Sequence, residues 1–447
     1  MNHFIPTSPA EKRAILERLG IKDWKQLLSH IPKELIHEED LNLPPPLSEP
    51  EIESYLQQLA SDNLSPLIIF AGAGAYDHYV PALVDYVASK PEFYTAYTPY
   101  QAEASQGTLQ ALYEYQSMVA HLYAMEASNA SLYDAGTGLA EALRMAIRIK
   151  QVDRVLVADT IHPCYIQVAR TLLGEDKIDL LPTHDGRIDI VTLRNMLNRT
   201  QYAGFALQTP NFYGILEDVD PISDTVHTHD TLLIAVANPI SLALVKPPGE
   251  YDADIAIGEG QPLGIPLSFG GPYLGILVGK KKYIRQFPGR IIGKTVDLDG
   301  NPAYTMVLQT REQHIRRAQA TSNICTNQTL MAIRAAVYLV VMGTYGLREV
   351  AELSLQKAHY LHKRLTELKG VDPVYSYPFF NEFLIKLPLS AEYVVERLLE
   401  YNILAGVPLS RFFPERDNEL LVAVTEKRTK SEMDHFVDSL RHVINGR

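Results

Sequence analysis

Cysteine and basic charge are both scarce in this chain. Its 447 residues include two cysteines, Cys164 and Cys325, which do not form a CxxC motif. This usage indicates a reducing compartment and no zinc site. The 41 lysines and arginines are outnumbered by 53 aspartates and glutamates, which gives a net charge of −12. Such a balance argues against nucleic acid as the main partner and favours good solubility.

We also identify no hydrophobic run in the sequence that is long enough to cross a membrane. The first residues, Met1–Pro6, contain no apolar core of signal-peptide length, and we assign no later segment as a membrane span. We therefore expect a cytoplasmic protein with no membrane partner. The composition, with 46% hydrophobic and 21% charged residues, is that of an ordinary globular chain of about two or three domains.

Helical patterns separated by prolines fill the first part of the chain. Ser8–Glu11 is a capping box with proline at the first helical position, Asp23 can cap a second helix, and Ser48–Glu51 begins a third. Short helices split by prolines make a poor independent core. We therefore predict a helical arm over residues 1–65 that covers another surface, in this chain or in a partner.

The rest of the chain alternates short β-rich runs with helical patterns. This alternation predicts an α/β domain over residues 66–330, with a largely parallel sheet covered on both faces. A long helical pattern from Asn327 to Leu368, with a break near Gly343, then leads into a smaller α/β domain, so that residues 331–447 form the C-terminal part. The predicted strands of the first domain are Leu67–Phe70, Arg154–Ala158, Ile178–Leu181, Gly204–Gln208, Leu232–Ala237, Asp254–Ile257 and Leu274–Val278.

Tyrosines and polar side chains are densest at residues 93–107. Tyr94, Tyr97, Thr98 and Tyr100 supply hydroxyls and flat apolar faces on an irregular segment, which suits a small-ligand pocket. The residues alone favour the simpler interpretation, an aromatic-rich packing loop.

A second run, Arg311–Gln328, is basic and then rich in hydroxyl groups. Its last part, which contains Thr321 and Ser322, is also suited to capping the long helix that follows.

Two shorter segments have weaker signals. Residues 132–141 form a glycine- and threonine-containing turn before a helix, where orphan N–H groups can hold a phosphate. Asp134 would repel that phosphate, so we interpret the turn as a remnant. His162 follows a strand, and a lone histidine there is more often a hydrogen-bonded structural residue.

The stretch Asp252–Gly275 is predicted to form a buried strand, a turn rich in glycine and proline, and the beginning of a second strand. Pyridoxal-phosphate enzymes of the aminotransferase-like fold carry their Schiff-base lysine in a segment of this kind. The turn has Gln261 instead, and the nearby lysines follow the second strand; they are Lys280, Lys281, Lys282 and Lys294.

Together these segments resemble the P-protein family of the glycine cleavage system, the glycine decarboxylases, over essentially the whole chain. Tyr97–Gly107 matches the family's Tyr-Thr-Pro-Tyr-Gln-Ala-Glu-x-Ser-Gln-Gly, and Arg316–Gln328 matches its Arg-Arg-x-x-Ala-Thr-Ser-Asn-Ile-Cys-Thr-Asn-Gln. The resemblance implies the fold of fold-type I pyridoxal-phosphate enzymes, with an arm, a large domain and a small C-terminal α/β domain.

The resemblance also implies that two hallmark residues have been lost. In the catalytic members, the position aligned with Gln261 is the imine-forming lysine. The aspartate that keeps the pyridine nitrogen protonated aligns with Ala235, which cannot ionise. His162 fits the slot of the residue that stacks on the cofactor ring. We therefore expect this chain's own pocket to hold no covalently bound cofactor.

The family's two-subunit members suggest how such a chain functions. The resemblance implies a heterodimer in which subunit 2 (beta) holds the lysine and the pyridoxal phosphate. The complex would decarboxylate glycine, release CO₂ and pass the aminomethyl group to the lipoyl group of the H-protein. This chain would contribute side chains across the interface; the candidates are Thr321, Ser322, Tyr94, Tyr97, Thr98 and Tyr100.

Two alternatives remain open from the sequence. One is a self-sufficient pyridoxal-phosphate lyase of the threonine aldolase type, which would need a lysine that we have not placed. The other is a non-catalytic scaffold subunit whose pocket residues are relics.

Overall fold

The computed structural model of the chain describes residues 7–36, 42–63 and 67–446. It divides into two compact units, residues 1–64 and residues 65–447. The first corresponds to the predicted arm and the second is called the body here. The further division of the body at residue 330 stays a prediction.

The described part of the arm contains two α-helices, α1 (Pro9–Leu19) and α2 (Glu49–Ser61), and two 3₁₀ turns between them. The capping box is confirmed: the Ser8 hydroxyl accepts from Glu11 N–H (3.3 Å), and the Glu11 carboxylate accepts from Ser8 N–H (2.7 Å). The predicted second helix is a 3₁₀ turn, Trp24–Leu28, capped by Asp23. None of the residues in these helices and turns is buried, so this described part of the arm has no core of its own.

The body contains the remaining helices and all of the strands that the structure describes. Its helices are α3 (Ala82–Ala88), α4 (Pro91–Tyr94), α5 (Gln106–Leu122), α6 (Ala135–Lys150), α7 (Pro163–Leu173), α8 (Ile190–Arg199), α9 (Val219–Thr228), α10 (Gln313–Arg316), α11 (Thr329–Thr366), α12 (Ala391–Leu399) and α13 (Lys430–Ile444). Its strands are β1 (Ile68–Ile69), β2 (Ala127–Ser128), β3 (Val155–Ala158), β4 (Ile178–Leu181), β5 (Gly204–Gln208), β6 (Leu232–Val236), β7 (Ile255–Glu259), β8 (Gly275–Gly279), β9 (Ile291–Val296), β10 (Pro302–Val307), β11 (Asp372–Pro373), β12 (Glu382–Lys386), β13 (Ile403–Leu404), β14 (Val407–Pro408) and β15 (Glu419–Ala423).

The main sheet has seven strands in the order β2-β8-β7-β6-β5-β3-β4. The strands from β7 to β4 run parallel, whereas β8 and β2 are antiparallel to their neighbours. Every residue of β3, β6 and β7 is buried, as expected for strands covered on both faces. The sequence located these strands because each is a continuous apolar run.

The prediction placed one strand in the wrong sheet and missed four others, β2, β9, β10 and β11. The strand predicted at Leu67–Phe70 is not part of the main sheet; β1 pairs in parallel with β13, more than 300 residues away. This pairing partner could not be predicted from the local sequence. Two of the missed strands, β9 and β10, form an antiparallel hairpin whose tip is polar and exposed, so it lacks the buried apolar run that marks the main sheet.

The C-terminal part contains a four-stranded antiparallel sheet in the order β11-β12-β15-β14. The predicted break in the long helix is confirmed, because Gly343 has φ 57° and ψ −174° inside α11. By length and composition alone, α11 would be long enough to cross a membrane, which our reading of the sequence overlooked. In the body it packs against α3 and α5.

Candidate functional site

A cleft lies at the carboxyl ends of β6 and β7, the edge of an open α/β sheet where ligands usually bind. The cavity that remains there has a volume of about 30 Å³. Since one water needs roughly 10–15 Å³ measured in this way, the cavity holds about two water molecules. It is lined by Gly74, Tyr76, Tyr165, Gln208, Val236, Ala237, Asn238, Glu259 and Pro262.

Gln261 is buried at the end of this cleft and its amide group is fully engaged. Its Oε1 accepts from Tyr76 N–H (2.9 Å), and its Nε2 donates to the carbonyls of Tyr76 (3.0 Å) and Ile265 (2.7 Å). The segment around Tyr76 is thereby fixed across the cleft. Gln261 therefore acts as a structural clamp.

Ala235 is fully buried in the middle of β6. In the sheet it lies between Leu207 of β5 and Ala256 of β7. Ala235 and both of these neighbours are apolar, so no carboxylate is available at this position for a protonated ring nitrogen.

The N-terminus of α6 is occupied by two of the chain's own carboxylates. Asp134 caps the helix by accepting from Thr137 N–H (2.7 Å), and Glu259 Oε2 accepts from Ala135 N–H (3.1 Å). Glu259 Oε1 accepts two further bonds, from the N–H groups of Gln261 and Leu274 (3.0 Å each). Burial raises the pKa of Glu259 to about 8, although these N–H donors act in the opposite direction. The helix terminus that would hold a phosphate is thus already satisfied, and the prediction that Asp134 would oppose a phosphate agrees with this geometry.

His162 is a buried structural residue in this chain. Its Nδ1 accepts from Cys164 N–H (3.1 Å), so the proton lies on Nε2, which donates to the Ala73 carbonyl (2.9 Å). Burial lowers the pKa of His162 and favours this neutral form. Its ring stacks on Tyr165, with centroids 4.5 Å apart and planes 19° apart. Because Tyr165 also lines the cavity, a side chain of the chain itself covers the histidine ring where a cofactor would stack.

Pyridoxal phosphate does not fit this cleft. The remaining volume is too small, two carboxylates lie at the helix terminus, and none of the described residues lining the cavity is a lysine. Sequence reasoning found Gln261, Ala235 and Asp134, but it missed Tyr76, Tyr165 and Glu259. The position of Glu259, two residues before Gln261, was the signal that could have revealed it.

Arg290 connects the two runs that match the family, residues 93–107 and residues 311–328, on another surface. The guanidinium of Arg290 is buried and donates to Thr326 Oγ1 (3.1 Å), Asn327 Oδ1 (3.0 Å) and the Cys325 carbonyl (3.0 Å). It also lies over the ring of Tyr100, 5.6 Å from the centroid. Residues 93–107 and 311–328 therefore form one continuous surface, which we call the signature surface. Arg290 could not be predicted from the sequence, because it is a single arginine outside both runs.

The predicted tyrosines are presented to solvent on the signature surface. Tyr94 is 69% exposed, Tyr97 86% and Tyr100 51%, whereas Thr98 is half-buried. The edge of Tyr100 packs on His314, with ring centroids 5.7 Å apart. Exposed aromatic side chains in such number are typical of a surface that contacts a partner.

Thr321 and Ser322 differ in their surroundings. Thr321 is half-buried, and its N–H donates to the Arg311 carbonyl (3.0 Å). Ser322 is buried, and its hydroxyl accepts from Ile324 N–H (3.2 Å). The alternative in which Thr321 caps the long helix does not agree with the structure, because α11 begins at Thr329. The N–H of Gln328, just before it, donates to the hydroxyl of Ser131.

Comparison with known proteins identifies the family. The model of the glycine cleavage system P-protein family matches residues 2–440. The chain belongs to this family. The P-protein resemblance read from the sequence is therefore confirmed.

Several P-protein relatives match this chain over almost its full length. Proteins named glycine dehydrogenase (decarboxylating) subunit 1 from Chlorobaculum parvum and Prosthecochloris aestuarii are 46% and 48% identical over 442 residues, covering 98% of this chain and 99% of each relative. The protein of that name from Carboxydothermus hydrogenoformans is 46% identical over 441 residues, with the same coverage.

Solved structures agree with the P-protein assignment. A crystal structure of glycine decarboxylase (P-protein) of the glycine cleavage system, in inhibitor-bound form, has a TM-score of 0.89 and 41% identity and covers 99% of this chain and 100% of that chain. A glutamate decarboxylase from Lactobacillus brevis, with 15% identity and a TM-score of 0.65, covers 92% of this chain and 96% of that chain and shows the fold alone. The predicted fold-type I class is confirmed.

Proposed function

We propose that this chain is the glycine decarboxylase subunit that lacks the Schiff-base lysine, and that it completes an active site on a lysine-bearing partner. The main support is the clamp between Gln261 and Tyr76, which closes the chain's own cleft. Relatives of the same length carry the name subunit 1, which agrees with a function shared between two chains. The complex works in the cytoplasm.

The proposed reaction belongs to the complex as a whole. Pyridoxal phosphate, held covalently by the partner, supplies the electron sink for the decarboxylation of glycine. CO₂ is released and the aminomethyl group passes to the lipoyl group of the H-protein. The residues of this chain bind and orient groups at the interface; none of them forms a covalent bond with the cofactor.

The signature surface is where this chain meets the partner's site. Tyr97 and Tyr94 are more exposed than Tyr100, which is held by Arg290 and His314. Thr321 offers its hydroxyl to the partner's cofactor phosphate, because its backbone is fixed to Arg311 and its side chain caps no helix. We include Ser322 in this proposal, with a positioning role, since its hydroxyl already holds the Thr321–Ile324 turn.

Reconstitution tests this proposal. The chain, the lysine-bearing partner and the mixture of both are each supplied with carboxyl-labelled glycine, pyridoxal phosphate and lipoylated H-protein, and released CO₂ is measured. We expect release from the mixture and none from this chain alone. Release by this chain alone would favour the lyase alternative. Full activity of the partner alone would favour the scaffold alternative.

A further inference from the structure

A second cavity is lined by Thr321 and shares no lining residue with the cleft. Its volume is about 260 Å³, and it is formed by α6, the end of α7 and the loop before α11. Three cations line it, Arg144, Arg148 and Lys177, together with Thr321. We call it the basic cavity. It is several times larger than the space left in the cleft.

The positive charge of the basic cavity is incompletely neutralised. Arg148 donates to the Gln286 carbonyl (3.0 Å) and, among the described residues, makes no ion pair. Burial is the main cause of the lowered pKa of Arg148; attraction by Glu141 acts in the opposite direction, and repulsion from Arg144 adds to the lowering. Arg144 is paired with Glu141 at 3.3 Å, but burial raises the pKa of that carboxyl and so disfavours its charged form. Only Lys177 has a close exposed partner, Asp153 at 2.7 Å.

A fourth cation lies directly behind the loop that closes the cavity. Arg311 is 8% exposed and donates through Nη1 to the Phe287 carbonyl (2.7 Å), whereas its Nε and Nη2 have no partner in the part of the chain that the structure describes. Its pKa is lowered to about 10, first by burial, with a further contribution from Arg148. Buried donors without partners are unfavourable, so the positive potential here is maintained at a cost in stability.

The remaining wall of the basic cavity is apolar. It is formed by Ile147 on α6 and by Leu172 and Leu173 at the end of α7. Guanidinium groups bind carboxylates and phosphates through paired N–H donors, and an adjacent apolar wall suits a short hydrocarbon group. A concave site with both features fits a small molecule better than an acidic segment of another protein.

We propose that the basic cavity binds a small organic oxyanion, a phosphate monoester or a carboxylate, with its anionic group on Arg148 and Arg144 and its alkyl group on Leu172 and Leu173. The residues that carry this inference all belong to this chain. The volume, just below the range of about 300–1,000 Å³ for drug-sized ligands, limits the ligand to a compact molecule.

Calorimetric titration of the full-length chain at low ionic strength tests the proposal, with n-butyl phosphate, inorganic phosphate and butyrate as probes. We expect saturable binding of one equivalent of n-butyl phosphate and weaker binding of inorganic phosphate. The affinity for butyrate, compared with that for n-butyl phosphate, shows whether the site prefers a carboxylate or a phosphate. Arg148→Gln should weaken binding by about 10-fold or more, since a charge-assisted hydrogen bond is lost.

Arg194→Gln is the matched control, because Arg194 is an exposed arginine on α8 that does not line the cavity. The affinity of Arg194→Gln for n-butyl phosphate should equal that of the wild type. Equal weakening in both variants, or no saturable binding of any probe, would overturn the proposal. Arg144→Gln serves as a second variant if thermal melting shows that Arg148→Gln is unfolded.

The same variants, assembled with the partner, separate this site from the proposed active site. Arg148→Gln should leave the affinity of the complex for pyridoxal phosphate unchanged. A loss of cofactor affinity would make the cavity part of the partner's cofactor site and would overturn the inference, while the proposed function would stand. Loss of n-butyl phosphate binding on assembly would show that the partner fills the cavity, which also overturns it.

Discussion

The side chain of Gln261 holds the backbone of Tyr76 from both sides, by accepting from its N–H at 2.9 Å and donating to its carbonyl at 3.0 Å. This pair connects segments 185 residues apart across the cleft where the resemblance places a Schiff base. Gln261 thus stands where the catalytic members have a reactive lysine, and its amide makes a pair of hydrogen bonds to the Tyr76 backbone instead. These bonds close the cleft.

The first prediction concerns covalent cofactor binding. Because the cleft holds about two water molecules and none of its described lining residues is a lysine, the chain alone should form no imine with pyridoxal phosphate. Borohydride reduction followed by peptide mapping measures this directly, with the lysine-bearing partner as a positive control. A pyridoxyl-lysine at a single site in this chain would contradict the expectation.

The second prediction is that Gln261→Lys gives a less stable chain without decarboxylase activity. The lysine would lose the bonds to Tyr76 and Ile265 and would place a charge in a buried site, although Glu259 is close enough to compensate in part. We expect a loss of about 3 kcal/mol in the free energy of unfolding. Urea unfolding measures the stability, and CO₂ release without the partner measures activity.

Gln261→Met is the matched control for this variant, because it has a similar length and no charge. It should lose about 1–3 kcal/mol for the unsatisfied backbone groups of Tyr76, less than the lysine variant. If the lysine variant were as stable as the wild type, the buried clamp would not have the role that we assign to it.

The fold could be predicted from the sequence wherever local patterns decide it. The continuous apolar run of β5 and the capping box at Ser8, before α1, give elements that begin where the sequence predicts. The pairing of β1 with β13 could not be predicted, because it depends on two short segments that meet only in the folded chain.

The candidate site was predictable only in part, for a related reason. The absence of a lysine at Gln261 is visible in the sequence, but what fills the space is not. Tyr76 and Tyr165 enter the cleft from distant segments, and neither has a local signal that distinguishes it from other tyrosines of the chain. The role of Arg290 likewise depends on its three hydrogen-bond partners just before the start of α11, which are distant in sequence.

The third prediction concerns pH. The carboxyl of Glu382 is buried, where it accepts from Ala73 N–H (2.7 Å) and from the Tyr76 hydroxyl (2.9 Å). Burial raises its pKa from 4.5 to about 7. The folded state therefore binds this proton more tightly than the unfolded state, and stability is lost as the pH rises from about 4.5 to about 7. The group contributes about 3 kcal/mol to this loss.

Glu382→Gln should remove this contribution, because an amide keeps the acceptor for Ala73 and does not ionise. Urea unfolding at several pH values between 5 and 8 measures the difference between wild type and variant, which should grow with pH in favour of the variant. Glu396→Gln on α12, an exposed site, is the control and should give a curve parallel to the wild type. A parallel curve for Glu382→Gln would show that Glu382 is ionised throughout this range.

The fourth prediction concerns the contribution of Thr321 to the partner's site. Its loop is fixed by the bond from Thr321 N–H to the Arg311 carbonyl, and its hydroxyl caps no helix. If the hydroxyl binds the partner's cofactor phosphate, Thr321→Ala removes one charge-assisted hydrogen bond, about 1.5–3 kcal/mol. Cofactor affinity of the assembled complex should then fall roughly 10- to 100-fold.

Thr321→Ser, which keeps the hydroxyl, is the matched control and should retain affinity close to that of the wild type. Pyridoxal phosphate is titrated into the apo-complex of each variant, and a thermal melt is recorded for the chain alone. Because Thr321 caps no helix, both variants should melt like the wild type, and assembly should be intact since the side chain is small. Unchanged cofactor affinity in Thr321→Ala would show that this hydroxyl does not reach the phosphate. The signature surface would then have to act through its tyrosines, of which Tyr97, the most exposed, would be the next to replace with phenylalanine.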